Sequence, residues 1–316
     1  MTAQCMSAPS AQSKRLHFTT TTLGCCEYLL AEGEGPVVLL IHGGEGGGYD
    51  QAALLGEWLE RGGFRLLAPS RPGYLGTPLA SGRSFVEQAD LLAALLQQLA
   101  IERVAVVATS LGGPVGYLLA QRYPERVAAL VAIDAVSGYY QPPPTIQSVA
   151  DPLLFQSPVA KQLWQRLSHT TDGSDLLLRL FADASAHSEL QFRRQLVSLR
   201  QDPAAIALLQ QLLVSVADRA LRDAGEQNDL RQYGRHSALP LSQIKVPSLI
   251  IHATHNSDVP FYHGIYAYES IAGSEYHWLA QAHQLGFWIG AAAAAAQQRA
   301  LQFLASRSGS RSACFG

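Results

Sequence analysis

The chain reads as an α/β protein: a mostly parallel sheet with helices on both faces, plus a helical segment inserted late in the sheet. Three observations predict this. Apolar, β-branched runs recur at Val37–Ile41, Phe64–Pro69, Val104–Thr109 and Val246–Ile251, the pattern of strands buried on both faces. Helical stretches alternate with strand patterns from Val37 to Asp134, which calls for parallel crossovers. The alternation then stops: residues 137–240 carry no convincing strand, although strand patterns resume beyond them. The expected organisation is a first core part over 16–136, a helical insertion over 137–240 and a second core part over 241–306. Residues 1–15 and 307–316 are expected to be disordered tails.

The elements follow in order. A strand pair is expected near His17–Thr20 and Cys25–Ala31, with Gly33 and Gly35 as the turn. Asp50 suits the N-cap of a helix running through Trp58, which Gly62 and Gly63 end. Ser84 and Glu87 form a Ser-x-x-Glu capping box for a helix to Leu99. A helix from Leu111 to about Tyr123 stops before Pro124. In the insertion, Asp151-Pro152 and Asp202-Pro203 are N-cap and N1 pairs. Four or five helices there carry Phe155, Leu163, Trp164, Leu177, Phe181, Leu209 and Leu213 on their apolar sides. Most of these residues read as the insertion's own core. Glu275–Leu279 is the last strand pattern, and a final helix is expected from Leu285 through the alanine run 291–296.

Bulk composition narrows the partners. The 316 residues are 48% hydrophobic, enough for a sizeable core, and only 15% charged. With a net charge of −2 and no basic block, neither nucleic acid nor an anionic membrane is an expected partner. No run approaches the roughly 18 apolar residues of a membrane span, and the N-terminus has no apolar signal core, so a cytoplasmic protein is expected. The cysteines, Cys5, Cys25, Cys26 and Cys314, have neither zinc nor disulfide-framework spacing. Adjacent Cys25 and Cys26 would face opposite sides of a strand.

The chemistry concentrates where the third strand run ends. Val104–Thr109 delivers Ser110, and Leu111, Gly112, Gly113 and Pro114 open a helix at once. That is the layout of a nucleophile elbow, a tight strand-to-helix turn that lifts a serine hydroxyl above the sheet edge. Its crowding explains the small residues Ala108, two before the serine, and Gly112, two after it. Alanine stands where the elbow usually has its first glycine. Alone, the pattern is better read as a serine in an ordinary βα turn; its context reverses that. The run Gly43–Gly48 could suggest a phosphate loop, but it meets neither G-x-G-x-x-G nor the Gly-Lys-Ser/Thr pattern. His252 and His255 lack a third zinc-type ligand nearby, so neither metal nor cofactor is expected.

The order of these motifs resembles the α/β-hydrolase superfamily, in its serine hydrolase branch with a helical cap. The resemblance rests on the turn His42-Gly43-Gly44, the turn Ser70-Arg71-Pro72-Gly73-Tyr74, the Ser110 elbow, the late Val246-Pro247 strand and His283 after the last strand. It covers roughly residues 20–135 and 245–305, and its motifs jointly specify the fold but not a substrate. It implies Ser110 as nucleophile and His283 as base. The N–H groups of Leu111 and Gly44 would form the oxyanion hole, and His42 would be structural. The acid departs from the pattern. Where the family has Asp-x-x-Val-Pro, this chain has Asn256, with Asp258 two residues later. Asp134, at the end of the strand after the elbow, is an alternative, because some dehalogenases of this fold take their acid there; the competing reading is a structural carboxylate. The order of preference is Asn256, Asp134, Asp258. An Asn can hold an imidazole but cannot stabilise imidazolium by charge, a change that costs a serine enzyme about 10⁴ in turnover.

The expected activity is a cofactor-free serine hydrolase acting on a small, fairly apolar carboxylic ester or related acyl compound through an acyl-enzyme. Serine at the nucleophile position argues against dehalogenase or epoxide hydrolase chemistry, which resembles this fold but uses Asp there. Two alternatives remain: a lyase or cofactor-free haloperoxidase on the same site, and a catalytically weak binding protein, suggested by Asn256.

Overall fold

A computed structural model describes residues 14–44, 46–141, 162, 166, 170, 190, 193, 197, 200–217, 219–234, 239–283 and 285–307. Strands β1 (Lys14–Thr21) and β2 (Gly24–Ala31) form an antiparallel hairpin. Lys14 and Arg15, expected in the tail, belong to β1: they pair with Ala31 and Leu30, and Arg15 meets Glu32 at 2.8 Å. The hairpin turns at Thr22 and Leu23. Gly33 and Gly35, at φ +117° and +122°, instead turn β2 toward β3 (Val37–Ile41). Cys26 is buried and Cys25 exposed, as alternation on a strand requires.

Beyond β3, the single helix expected from Asp50 through Trp58 is two, α1 (Tyr49–Leu55) and α2 (Glu57–Arg61). They meet at Gly56, where a Cβ would stand 2.8 Å from the Leu66 side chain of β4 (Arg65–Pro69), so the chain bends where it presses on the sheet. Gly48, not Asp50, is the N-cap of α1. Helix α3 (Phe85–Gln98) starts with the expected capping box, Ser84 Oγ accepting from Glu87 N and the Glu87 carboxylate accepting from Ser84 N.

Next come β5 (Val104–Thr109), α4 (Gly113–Arg122) and β6 (Val127–Ile133). Between β6 and the next strand the described residues include α5 (Pro203–Ala217), α6 (Asp223–Tyr233) and 3₁₀ turns at Arg219–Leu221 and Leu241–Gln243, and no strand. Asp202 caps α5 by accepting from Ala204 N and Ala205 N, and Leu209 and Leu213 are buried. Asp151-Pro152, Phe155, Leu163, Trp164, Leu177 and Phe181 lie outside the described residues, as do Cys5 and Cys314. The chain ends with β7 (Ser248–Ala253), α7 (Tyr262–Ser270), β8 (Glu275–Leu279) and α8 (Ala293–Ala305). α8 begins at Ala293 rather than Leu285. Phe287 is pinned in the core against Trp58, and the Trp288 indole donates to Leu55 O, so the chain turns there before a helix can start.

The eight strands lie in the order β1-β2-β4-β3-β5-β6-β7-β8, parallel from β4 through β8. Alternate residues of each inner strand feed two cores. Leu39, Ile41, Val106 and Leu130 pack with α3, α4 and α7 on one face. Val38, Leu40, Val107 and Val131 pack with α1, α2 and α8 on the other. The strand order reverses between β3 and β5, because the chain leaves β3 toward one edge and returns to build the other. Loops beyond the carboxyl ends of β3 and β5 therefore flank a crevice, the place where sheets of this kind bind ligands. Among the described residues no helix is long and apolar enough to cross a membrane.

Candidate active site

Ser110 stands at that crevice. It follows β5 directly and has φ +47°, a left-handed backbone that is uncommon for a residue with a side chain. A 3₁₀ turn over Ser110–Gly112 joins the strand to α4. The turn is crowded as its sequence implies. A Cβ on Gly112 would lie 2.4 Å from His42 O, and one on Gly116 would lie 2.4 Å from Ala108 Cβ. The alanine at position 108 is thus accommodated by a glycine one helical turn into α4. Val136 N donates to Ser110 O, tying the elbow to the chain leaving β6.

Gly43 and Gly44 run beside the serine because β3 and β5 are paired, Ile41 opposite Ala108. A Cβ on Gly43 would come within 3.0 Å of Ser110 Cβ, and one on Gly44 would meet the Leu111 side chain. The glycine backbone therefore approaches the serine more closely than any other residue could allow. His42 is buried and its pKa lies well below the usual 6.5, because burial and the nearby Arg71 cation disfavour its charge. As a neutral ring it donates from Nδ1 to Gly43 O (2.7 Å) and accepts Arg71 N–H at Nε2 (2.9 Å). Its place is structural, holding two turns together.

His283 is buried on the loop that follows β8. That loop is fastened to the one after β7: Thr254 N donates to Leu279 O, His255 N to Ala282 O and Gln281 N to Thr254 Oγ1. Asn256 and His283 thus sit on adjoining loops, each next in sequence to one partner of the His255–Ala282 bond.

The three acid candidates occupy different surroundings. The Asn256 side-chain oxygen accepts from Asp258 N (3.0 Å) and Val259 N (2.9 Å), so it is committed to its own turn. Its amide is turned toward Asp134, close enough to lower that carboxyl's pKa without closing a full hydrogen bond. Asp134 caps β6 at φ +47°, is buried, and takes Ala253 N–H on Oδ1 at 2.8 Å. Burial pushes its pKa from 3.8 up to about 7, against the opposing pull of the Ala253 and Asn256 donors. Its Oδ2 is buried and, among the described residues, accepts no closed hydrogen bond. His252 Nε2 lies 3.8 Å from Oδ1 but donates to Val259 O, and burial lowers its pKa to about 4, which leaves it neutral. Asp258 accepts from Tyr140 OH at 2.9 Å. The Asn256 amide is thus associated with the Asp134 carboxyl, whereas the Asp258 carboxyl is engaged by Tyr140.

Several residues around the elbow have no counterpart in the sequence reading. Asp229 makes a fully buried, two-pronged ion pair with Arg71, at 3.0 and 2.6 Å. Tyr233 OH donates to Leu111 O, and Arg222 donates to Gly47 O (2.9 Å) and pairs with Asp50. All three come from α6 or the residue before it, more than a hundred positions from their partners, so no local spacing could reveal them. Among the described residues no group of three or more His, Cys, Asp or Glu is arranged to hold a metal.

Comparison with known proteins agrees with this architecture. The sequence model of the alpha/beta hydrolase fold family matches residues 36–289, so the chain belongs to that family. It is 30% identical over 295 residues to a Bacillus subtilis protein named "Uncharacterized hydrolase YcgS", covering 93% of this chain and 99% of that one. An alpha/beta hydrolase fold protein from Nakamurella multipartita superposes with a TM-score of 0.83 at 31% identity, over 94% of this chain and all of the other. The enol-lactonase from Burkholderia xenovorans LB400 shares the fold alone, with a TM-score of 0.63 at 18% identity over 91% of this chain and 99% of its own.

Proposed function

We propose that the protein is a serine hydrolase that cleaves a small carboxylic ester or related acyl compound through an acyl-enzyme at Ser110. Membership of the family and a full-length hydrolase relative support hydrolysis as the reaction. The observation that carries the serine mechanism is Ser110 itself: a non-glycine residue in left-handed backbone, at the topological switch, with the Gly43–Gly44 peptides against it. Strain of that kind persists where the surroundings enforce it, and it clusters at active sites.

In this reading the Ser110 hydroxyl attacks the acyl carbon while His283 takes its proton. The oxyanion is received by the N–H groups of Leu111 and Gly44. His283 then returns the proton to the leaving oxygen, and water repeats the sequence to free the acid. The mechanism calls for no metal and no cofactor. For the acid, Asp134 comes ahead of Asn256. The Asn256 oxygen already serves two backbone N–H groups, whereas Asp134 is an ionisable carboxyl whose Oδ2 accepts no closed hydrogen bond among the described residues. The insertion over 137–240 would form the wall that selects acyl length, with short or medium chains preferred; Tyr233 of α6 already bonds to the elbow.

The experiment is p-nitrophenyl ester turnover by the wild-type protein and by Ser110→Ala. Turnover by the wild type and its abolition in a folded variant are expected. Undiminished turnover in Ser110→Ala would overturn the assignment.

A further inference from the structure

We propose that Arg71 is a positioning residue for the oxyanion hole, and that Asp229 of the inserted segment locks it in place. The inference rests on the serine-hydrolase reading above. Arg71 is buried and its five N–H bonds face six acceptors, the sixth being Tyr74 OH at 3.4 Å from Nη2. Nε donates to His42 O (3.1 Å), and Nη1 donates to Gln88 Oε1 (3.2 Å) and Asp229 Oδ1 (3.0 Å). Nη2 donates to Gly43 O (2.8 Å) and Asp229 Oδ2 (2.6 Å). A side chain so completely engaged has one orientation.

The consequence falls on a single peptide unit. Gly43 O accepts from the Arg71 cation and also from His42 Nδ1–H. Gly43 C=O and Gly44 N–H are opposite ends of the same planar trans peptide, so fixing the carbonyl aims the N–H the other way. Two donors on the carbonyl, one of them charged, also polarise the unit and strengthen the N–H as a donor. Gly44 N–H is thereby pre-aimed with no reorganisation left for the reaction, which is what gives an oxyanion donor its effect.

Asp229 makes this conditional on the inserted segment. It belongs to α6, which also reaches the second donor's turn through Tyr233 and follows Arg222, the residue that holds Gly47 O. Backbone bonds from Gly225 N to Gly73 O and from Leu75 N to Leu221 O seat that helix on the Arg71 turn. The helix that bounds the site is thus the one that sets the oxyanion peptide. Substrates that displace α6 would loosen the hole, and substrates that fit beneath it would not.

The test uses Arg71→Lys, which keeps the charge but not the fork. Asp229→Asn serves as the second variant if the first fails to fold. Tyr74→Phe is the control, because it loses the hydroxyl's bonds to Asp229 (2.7 Å) and to Arg71 Nη2 (3.4 Å) yet leaves both Gly43 donors in place. Each is measured per folded molecule for kcat, KM and the affinity of an alkyl boronic acid, whose serine adduct mimics the tetrahedral intermediate. Arg71→Lys and Asp229→Asn are expected to lower kcat by about 10- to 100-fold, less than the roughly 100- to 1000-fold caused by deleting a donor outright. KM should stay within about twofold, and boronate affinity should fall in step with kcat, as a loss confined to the transition state requires. Tyr74→Phe should retain kcat within about threefold, the change expected when no donor to Gly43 is lost. Unchanged kcat in the folded variants, equal loss in Tyr74→Phe, or undiminished boronate affinity would overturn the proposal. A wild type with neither ester turnover nor boronate binding would instead overturn the serine-hydrolase reading on which it rests.

Discussion

Two residues with side chains adopt the same left-handed backbone on neighbouring strand ends, Ser110 after β5 and Asp134 after β6. Both orient a polar group at the crevice end of the sheet, and both are strained to do so. Asp134 carries a second cost, because it buries a carboxylate beside neutral groups, the Asn256 amide and the uncharged His252. One ester assay on three variants distinguishes the acids. Asp134→Asn should be the severe change, approaching the roughly 10⁴-fold loss of a serine enzyme without its carboxylate. Asp258→Asn should be mild. Asn256→Asp should leave the rate unchanged or lower it, since it would set a second carboxylate against Asp134, and two adjacent carboxylates do not both ionise readily. A large gain in Asn256→Asp would show the reverse, that position 256 limits the wild type. The sequence made Ser110, His283 and the three acid candidates visible through their order along the chain. Its order, Asn256 before Asp134 and Asp258, followed the motif slot alone; the lone pairs that Asn256 has spent on Asp258 N and Val259 N, which favour the proposal of Asp134, belong to the folded turn.

At the scale of elements, the elbow and the helix caps are set by local chemistry, and both can be probed in one urea series. Ser84→Ala removes the acceptor of the α3 capping box and should lower stability by about 1 kcal/mol. Gly112→Val should lower the unfolding midpoint further, since its Cβ alone would press within 2.4 Å of His42 O and 2.8 Å of Ile41 O. A smaller shift in Gly112→Val than in Ser84→Ala would mean that the turn is not held by that close approach. These elements were legible because their causes lie within a few residues: the Ser84–Glu87 spacing, Asp202 before Pro203, the small residues flanking Ser110. The misread boundaries have distant causes. Leu66 of β4 meets Gly56 and divides one expected helix into two, and Trp58 holds Phe287 so that α8 starts late. The α6 clasp was illegible for the same reason, since Arg71 and Asp229 are neighbours only through the folded chain.

For the whole molecule, the buried titratable groups set a pH window. Burial lowers the pKa of His252 to about 4 and of His263 to about 3, and holds His42 well below 6.5. Above 6.5 these rings are neutral folded and unfolded, so they do not affect stability. As pH falls below 6.5 the unfolded chain takes up protons that the fold refuses, and stability is lost. Asp134 runs the other way. Its folded pKa, about 7, lies above the usual 3.8, so its cost is absent below 3.8, grows as pH rises toward 7 and is full above that. Thermal unfolding should therefore show Tm falling from pH 7 toward pH 4.5, where three histidines outweigh one carboxylate. Asp134→Asn should raise Tm more at pH 8 than at pH 5, and an equal gain at both would mean that Asp134 is not protonated in the fold. Family membership shows the fold, and the switch between β3 and β5 opens a crevice at the carboxyl end of β5, where the proposed nucleophile stands. Ser110 as the nucleophile is tested by the mass of the folded wild-type protein after brief exposure to a fluorophosphonate, followed by peptide mapping. A single stoichiometric adduct on the peptide holding Ser110, absent in Ser110→Ala, is the predicted result. An unmodified mass, or an adduct on another residue that persists in Ser110→Ala, would contradict it.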